Sequence, residues 1–534
     1  MTQRTSAEQS PIDAVPLEAV LFDMDGVVTD TARAHAESWK RMFDAFLEQR
    51  AAERGEQFHP FEIDTDYRRY VDGKPRYDGV ASFLDSRGVT LPHGSDDDPP
   101  QSETICGLGN RKNTYIQQWL ATNLVSMFPA ARALIDGLRG AGIKLAVFSA
   151  SRNATAVLAS AGATELFDAV VDGNELARLR LPGKPDPAML LEAARRLEVP
   201  PARAAVIEDA VAGIEAGVAG EFGLVIGVDR GHNAASLERA GADLVVHSLA
   251  ELAAGPNGLT AKTLLGLPLF RDHEQEIRGR LTGKAPAVFL DYDGTLTPIF
   301  EDYTKALLAD DMRAAVAALA EHCKVAVISG RDLKMLRSFV QLDGVTYAGS
   351  HGFEIAGPGG VHDSLEKGVE FLPVLDHAEE RLRARLAGIA GHAVERKRFS
   401  IAVHFRRAAP GDESRIEAIV ESVLSAFPGL KKGLGKKVFE LRPDIAWDKG
   451  RAVDWLLARL GADRASVLPI YVGDDVTDED AFRALAGRGL NLVVQGSDDR
   501  LTAADYALAD TDEVRRFLEY LTAIARDAAR SIEG

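Results

Sequence analysis

Short apolar runs that stop abruptly at polar residues recur along the chain, and they fall into two sets. In the first, AVLF at 19–22 stops at Asp23 and Asp25, LAVF at 145–148 stops at Ser149, and AVI at 205–207 stops at Glu208 and Asp209. In the second, AVFL at 287–290 stops at Asp291 and Asp293, VAVI at 325–328 stops at Ser329, and IYV at 470–472 leads into Asp474, Asp475 and Asp478. Runs this short, apolar throughout and bounded by turn residues, predict strands buried on both faces. The stretches between them have helical character. Strand and helix in alternation predict an α/β fold with doubly wound parallel sheets, whose ligands bind at the carboxyl ends of the strands. The polar residues that end each run all fall on that edge.

The two sets repeat one plan. AVLFDMDGVVTDT (19–31) and AVFLDYDGTLTPI (287–299) share the D-x-D, and each set then supplies a serine followed by a basic residue, SASRN at 149–153 and SGRD at 329–332 with Arg331. A lysine follows, Lys184 in PGKPDP and Lys449 in WDKGRA, and from lysine to Asp209 or Asp474 the step is 25 residues in both. The other steps differ. Asp23 to Ser149 spans 126 residues but Asp291 to Ser329 only 38, whereas Ser149 to Lys184 spans 35 and Ser329 to Lys449 spans 120. Each copy therefore carries a large insert at a different point, expected as a cap over the strand ends at about 32–127 and about 352–443. The expected organisation is a disordered tail over 1–16, a first domain over 17–255, a linker with a short helix over 256–284, and a second domain over 285–534.

Composition narrows the function. A length of 534 residues exceeds what one hydrophobic core sustains. No apolar run approaches the ~18 residues of a membrane span, and the start MTQRTSAEQSPIDAVP has no basic segment leading into an apolar one, so neither a membrane partner nor a secretory leader is expected. A formal charge of -18 argues against nucleic acid. Cys106 and Cys323 are too few for a disulfide framework or a zinc cluster, which favours a reducing, cytoplasmic setting. The acidic GSDDDPP at 94–100, set among Gly, Ser and Pro, predicts a solvated loop.

Two carboxylates in D-x-D after a strand suit phosphoryl transfer. One attacks phosphorus in line, while the other protonates the leaving oxygen and then activates water. Asp291 and Asp293 take these roles in the second copy, Asp23 and Asp25 in the first. Mg²⁺, which prefers oxygen ligands, would be held among Asp291, Asp293, Asp474, Asp475 and Asp478, and among Asp23, Asp25, Glu208 and Asp209. Ser329 with Lys449, and Ser149 with Lys184, would bind phosphoryl oxygens. A lone D-x-D is more often a turn or a helix cap. Four ordered elements found twice displace that reading.

These elements resemble the haloacid dehalogenase superfamily, whose Rossmann-like core with an inserted cap the chain carries twice. The second copy is similar to trehalose 6-phosphate phosphatases through GSHGFEI (349–355), ERKRFSIAVHFR (395–406), VFELRP (438–443) and GDDVTDEDAF (473–482). That likeness implies hydrolysis of trehalose 6-phosphate, with His351, Glu354, Glu395, Lys397, Ser400, His404, Arg406, Glu440 and Arg442 near the sugar or its phosphate. The first copy resembles β-phosphoglucomutase in its core and through DMDGVVTDTARAH, DGKPR and NRKNTY in its cap. The likeness implies a sugar-phosphate mutase acting on β-glucose 1-phosphate, in which Thr31 and His35 help time Asp25, Arg76 grips the distal phosphate and SASRN at 149–153 holds the proximal one, with Lys112 and Asn113 also matching in the cap. Two alternatives stay open: a non-catalytic first half, and a different sugar phosphate for the second.

Overall fold

The computed structural model describes residues 16–533 other than 232, 301, 359, 360, 365 and 436. Residues 1–15, expected as a tail, lie outside the described residues. The chain divides into two compact units, 1–262 and 263–534.

The first unit is built on six parallel strands: β1 (Ala19–Asp23), β2 (Lys144–Phe148), β3 (Ala169–Val171), β4 (Ala204–Glu208), β5 (Leu224–Val228) and β6 (Leu244–Val246), in the order β3-β2-β1-β4-β5-β6. Every residue of β1 is buried, as a central parallel strand covered on both faces requires. The order reverses between β1 and β4, so Asp23 and Glu208 end neighbouring strands at the crevice where such sheets bind ligands. A hairpin, β7 (Leu252–Gly255) with β8 (Gly258–Ala261), closes the unit.

Its cap is helical: α1 (Ala32–Arg54), a π-helical stretch (Ile63–Val71), α2 (Arg76–Ser86) and α3 (Ile105–Thr122). Trp39, Phe43 and Phe46 recur along one face of α1 at helical spacing. Phe43 packs at 5.3 Å from Trp39, 5.1 Å from Phe61 and 4.2 Å from Phe83 between ring centres. This cluster is the cap's own core.

The second unit repeats the six-strand order. β9 (Ala285–Leu290), β10 (Lys324–Ile328), β11 (Thr346–Gly349), β18 (Val467–Gly473), β19 (Leu490–Val494) and β20 (Tyr506–Leu508) run parallel as β11-β10-β9-β18-β19-β20. β12 (Glu354–Gly357) and β13 (Val361–Ser364) add antiparallel to the β11 edge. That corrects the expected cap boundary at 352: residues 354–364 extend the core sheet, because Tyr347, Ala348 and Gly349 offer their free edge to Ala356, Ile355 and Glu354. The cap proper is a four-stranded antiparallel sheet, β14 (Ala393–Arg396), β15 (Ile401–His404), β17 (Val438–Pro443) and β16 (Leu430–Gly435) in that order, with helices Leu372–Leu386 and Asp412–Leu424 packed on it through Leu382, Leu386, Ile416 and Val420. The expected linker, 256–284, contributes β8 to the first unit and helix Glu274–Leu281 to the second.

Candidate active sites

In the first unit the residues singled out by sequence meet around one cavity of about 540 Å³. Asp23, Asp25, His35, Arg76, Lys112, Asn113, Ser149, Lys184, Glu208 and Asp209 all line it. Lys184 Nζ donates to Asp23 Oδ1 at 2.6 Å and to Glu208 Oε2 at 2.7 Å, all three groups buried. Burial alone would lower the lysine's pKa, but the charges of Asp23 and Glu208 raise it above its ordinary value. Burial, then the neighbouring Glu208, push Asp23 well up against the pull of Lys184. Asp209 is pushed up by burial and by Asp72, Glu208 and Asp23. One ammonium thus faces several carboxylates, and a cation would relieve them.

Asp25 sits between hydroxyls. Thr31 Oγ1 donates to its Oδ1, Ser149 Oγ donates to its Oδ2 at 3.0 Å, and His35 Nε2 lies 3.7 Å away. Thr31 occupies the N-cap of α1 yet makes no capping bond. It gives up a contact typically worth ~1 kcal/mol to the helix in favour of one to Asp25. On the cap side Lys112 Nζ approaches His35 Nδ1 at 2.9 Å. Burial first, then Lys112, hold His35 down to about 4, and burial lowers Lys112 to about 7.

Sequence reasoning missed Asp72 and Tyr67 here. Asp72, immediately before Gly73, is raised to about 6 by burial and by Glu208, and Tyr67 bonds to it from the π-helical stretch. Arg152 pairs with Asp96 at 2.7 Å. The 94–100 loop, expected to be merely solvated, is pinned by Asn110 Nδ2 to the Asp96 and Asp98 carbonyls at 3.0 and 2.8 Å. Asn153 Nδ2 donates to Asn113 Oδ1 at 2.9 Å, a second tie between core and cap.

The second unit repeats the lysine clamp. Lys449, first residue of a helix capped by Asp448, donates to Asp291 Oδ1 at 2.7 Å and Asp478 Oδ1 at 2.6 Å. Burial works against the lysine, but Asp291 and Asp478 raise it well above its usual value. Burial pushes Asp291 well up, Lys449 opposing it and Asp478 and Asp474 adding to it. Burial also acts on Asp478, yet the Lys449 charge holds it below the usual carboxylate range. Tyr471 OH adds a bond to Asp478 Oδ1 at 2.7 Å, a partner that the sequence did not suggest.

Asp293 lies in a fork: Arg331 Nε and Nη2 reach its Oδ2 and Oδ1 at 2.6 and 2.5 Å. Ser329 is buried at the end of β10 and accepts from Arg331 N at 3.1 Å. Asp475 lies outside the set of acids whose oxygens converge, Asp291, Asp474 and Asp478, and its carboxylate accepts from Val476 N at 2.8 Å at the start of a short turn.

Both units offer oxygen-only clusters to a divalent cation. One oxygen from each of Asp23, Glu208 and Asp209, and likewise from Asp291, Asp474 and Asp478, lies within 4.8 Å of the others in its set. The turn after each D-x-D leaves room for the last acid. A Cβ on Gly26 would stand 1.9 Å from Asp209 Oδ2, and one on Gly294 2.1 Å from Asp474 Oδ2. Hard carboxylate oxygens held this close fit a Mg²⁺-sized ion.

Over the second site the cap supplies a network centred on buried Glu440. It accepts from Lys397 Nζ at 2.9 Å and Ser400 Oγ at 2.7 Å, and meets His351 Nε2 of the core at 2.8 Å. Burial opposes its ionisation, but Lys397 and His351 hold its pKa well below the usual value. Ser350 and His351 both take positive φ (49° and 57°), a strained geometry that clusters at binding sites. His404 pairs with Glu395 at 2.8 Å. Glu354 is engaged by Arg398, which sequence reasoning had passed over. Arg442 is half-buried on β17, and Arg406 lies exposed beyond the end of β15.

Fold and sites define the class. Residues 17–220 match the family model of the haloacid dehalogenase-like hydrolases, and residues 289–512 that of trehalose-phosphatase. A trehalose-phosphate phosphatase of Mycobacterium leprae is 37% identical over 415 residues, covering 74% of this chain and 93% of that protein. The chain belongs to the trehalose-phosphatase family. A Mycobacterium tuberculosis protein described as an uncharacterized glycosyl hydrolase is 40% identical over 521 residues; the match covers 96% of this chain, which spans 38% of that relative's length. A solved β-phosphoglucomutase of Clostridium difficile is 27% identical, covering 44% of this chain and 92% of that one, with a TM-score of 0.35.

Proposed function

We propose that the second unit removes phosphate from trehalose 6-phosphate through an aspartyl phosphate on Asp291. The observation that carries this is the pairing of a clamped aspartate with a polar cap network: Lys449 fixes Asp291, and Glu440 ties Lys397 and Ser400 of the cap to His351 of the core. Asp291 Oδ attacks phosphorus, the bond to the sugar oxygen breaks, and Asp293 hands that oxygen its proton. Water, deprotonated by Asp293, then attacks the aspartyl phosphate and releases inorganic phosphate. Lys449 and Ser329 meet phosphoryl oxygens as charge builds on them. Mg²⁺ held by Asp291 and Asp474, with the Asp293 carbonyl, would supply the remaining charge offset.

The first unit is proposed as a sugar-phosphate mutase acting on β-glucose 1-phosphate. Asp23 would carry the phosphoryl group and Asp25 the proton, with Mg²⁺ beside Asp209, while Arg76 would hold the distal phosphate and Ser149, Arg152 and Asn153 the proximal one; all of these line the cavity. Cys106 and Cys323 are both free thiols, which suits the reducing cytoplasm.

The test uses the full chain with Mg²⁺ against trehalose 6-phosphate, sucrose 6-phosphate, glucose 6-phosphate and β-glucose 1-phosphate, following inorganic phosphate and glucose 6-phosphate together. Phosphate released chiefly from trehalose 6-phosphate, and glucose 6-phosphate formed from β-glucose 1-phosphate, support both assignments. Another preferred phosphate donor would displace the first, and no mutase product would displace the second.

A further inference from the structure

In the first unit the serine loop after β2 ends at Arg152, and that arginine is held at both ends. Its backbone is fixed from the core: Asn174 Nδ2 donates to Arg152 O at 2.9 Å and Gly173 N to Ser151 O at 3.1 Å. The fit is close, since a Cβ on Gly173 would stand 2.6 Å from Ala150 O. Its guanidinium is fixed from the cap. Nη2 donates to Asp96 Oδ2 at 2.7 Å, and Cζ lies 5.5 Å from the centre of the Tyr77 ring. Arg76 approaches the same ring at 5.3 Å, so two cations converge there. Burial lowers the pKa of Arg76, the charge of Arg152 adds to that, and Asp96 opposes it.

The loop that carries Asp96 is built to present it. Asp98 turns inward and accepts from Thr104 Oγ1 at 2.6 Å, and Thr104 in turn caps α3 by accepting from Gly107 N at 2.9 Å. Asn110 of α3 grips the Asp96 and Asp98 carbonyls, and Tyr77 OH donates to Asn110 Oδ1 at 3.0 Å. Gly94 takes φ +78°, and a Cβ there would stand 2.1 Å from Asp98 Oδ2. The backbone is thus tied down without help from the Asp96 side chain, which is left to reach the core. Its side of Arg152 is the outer one. Among the described residues, Arg76, Tyr77 and Arg152 line the cavity and Asp96 does not. A guanidinium presents five donors, so one can be spent on Asp96 while others face an anion inside.

We infer that Asp96 is a positioning residue for the phosphate grip of the first unit: it holds Arg152 from outside the cavity and, because it belongs to the cap, completes that grip only when cap and core are together. The inference rests on the reading of Arg152 as a contact to the proximal phosphate. It fixes a sign. Acting only as a negative charge near the site, Asp96 would weaken the binding of a phosphate dianion. Acting through Arg152, it strengthens that binding.

The test is a double-mutant cycle in the full chain with Mg²⁺, using Asp96→Ala, Arg152→Met and the two combined, with Asp97→Ala as a control that removes the same charge one residue away. Asp96→Ala should raise KM for β-glucose 1-phosphate about fivefold, the upper end for a partly exposed ion pair, with kcat little changed. Asp97→Ala should match the parent. In the Arg152→Met background the Asp96 change should have no further effect, because its partner is gone. A lowered KM in Asp96→Ala, an equal change in Asp97→Ala, or a loss that persists without Arg152 would each overturn the inference, the last by showing that the loop itself has failed. If the parent forms no glucose 6-phosphate, the mutase assignment fails, and calorimetry with inorganic phosphate decides instead. The binding heat that Arg152→Met removes reports the first site, and Asp96→Ala should weaken that component by the same factor. An unweakened component would overturn the inference alone; no heat lost in Arg152→Met would overturn both it and the phosphate role of Arg152.

Discussion

In the first unit Asp25 rests between the hydroxyls of Thr31 and Ser149 with His35 nearby, whereas in the second Asp293 lies in the guanidinium fork of Arg331. The phosphoryl end of the two sites is otherwise the same: an aspartate ending the central strand, a buried lysine bridging it to a second acid, and a glycine turn that admits a third. The position two residues after the serine carries the difference, Ser151 in one copy and Arg331 in the other. On the proposed reading, the strand ends fix how phosphate is held and attacked. What varies is the group that meets the second aspartate and the cap above it; on the proposed reading, how well each cap excludes water decides whether water or a sugar hydroxyl receives the phosphoryl group. If Asp293 is the acid, the guanidinium of Arg331 would have to share or release it before it could reach a sugar oxygen.

The sharpest way to break the comparison is at its common part. Lys449→Met and Lys184→Met each leave two buried carboxylates without their ammonium, so each should destabilise its own unit by about 3–5 kcal/mol, read by urea unfolding in excess EDTA. A large loss in one unit and none in the other would show that the clamps are not equivalent. Mg²⁺ should raise the unfolding midpoint of both units, and excess EDTA should abolish turnover of both substrates, because the carboxylates would otherwise repel a phosphate dianion. Turnover in EDTA would contradict the cation's role.

The variable part gives smaller effects. Arg331→Lys keeps the charge but loses the fork, and should cost trehalose 6-phosphate hydrolysis about 100-fold. Thr31→Val should reduce mutase turnover while leaving that hydrolysis alone, and an effect on both would end the separation. The least effect concerns pH. The imidazole of His35 is held down to about 4 in the folded protein against an ordinary 6.5. Between those values the unfolded chain binds a proton that the folded one does not, so His35 makes the first unit lose stability as pH falls from 6.5 to 4. His35→Asn should remove that loss. A stability difference between parent and variant that stays constant across this window would contradict it.

Much of this was legible in the sequence, for a physical reason. Parallel central strands are apolar on both faces, so β1, β2, β4, β9, β10 and β18 stand out as runs, and their polar ends name Asp23, Ser149, Asp291 and Ser329 directly. The equal step from lysine to the last acid marks the clamp. Features that depend on long-range partners stayed hidden. The 354–364 hairpin joins the core sheet because β11 has a free edge, which no local pattern reveals. Glu354 finds Arg398 44 residues away, and Asp96 finds Arg152 56 residues away.

The central claim is that the second unit hydrolyses trehalose 6-phosphate at Asp291, independently of Asp23. It is tested by measuring phosphate release from trehalose 6-phosphate with the parent chain, Asp291→Asn, Asp23→Asn and the double variant, each normalised to folded protein. The amide at 291 keeps the side chain's shape but loses its nucleophile and a charge for the cation, so Asp291→Asn and the double variant should be inactive while Asp23→Asn matches the parent. Near-parent release by Asp291→Asn, or a large loss in Asp23→Asn, would contradict the account.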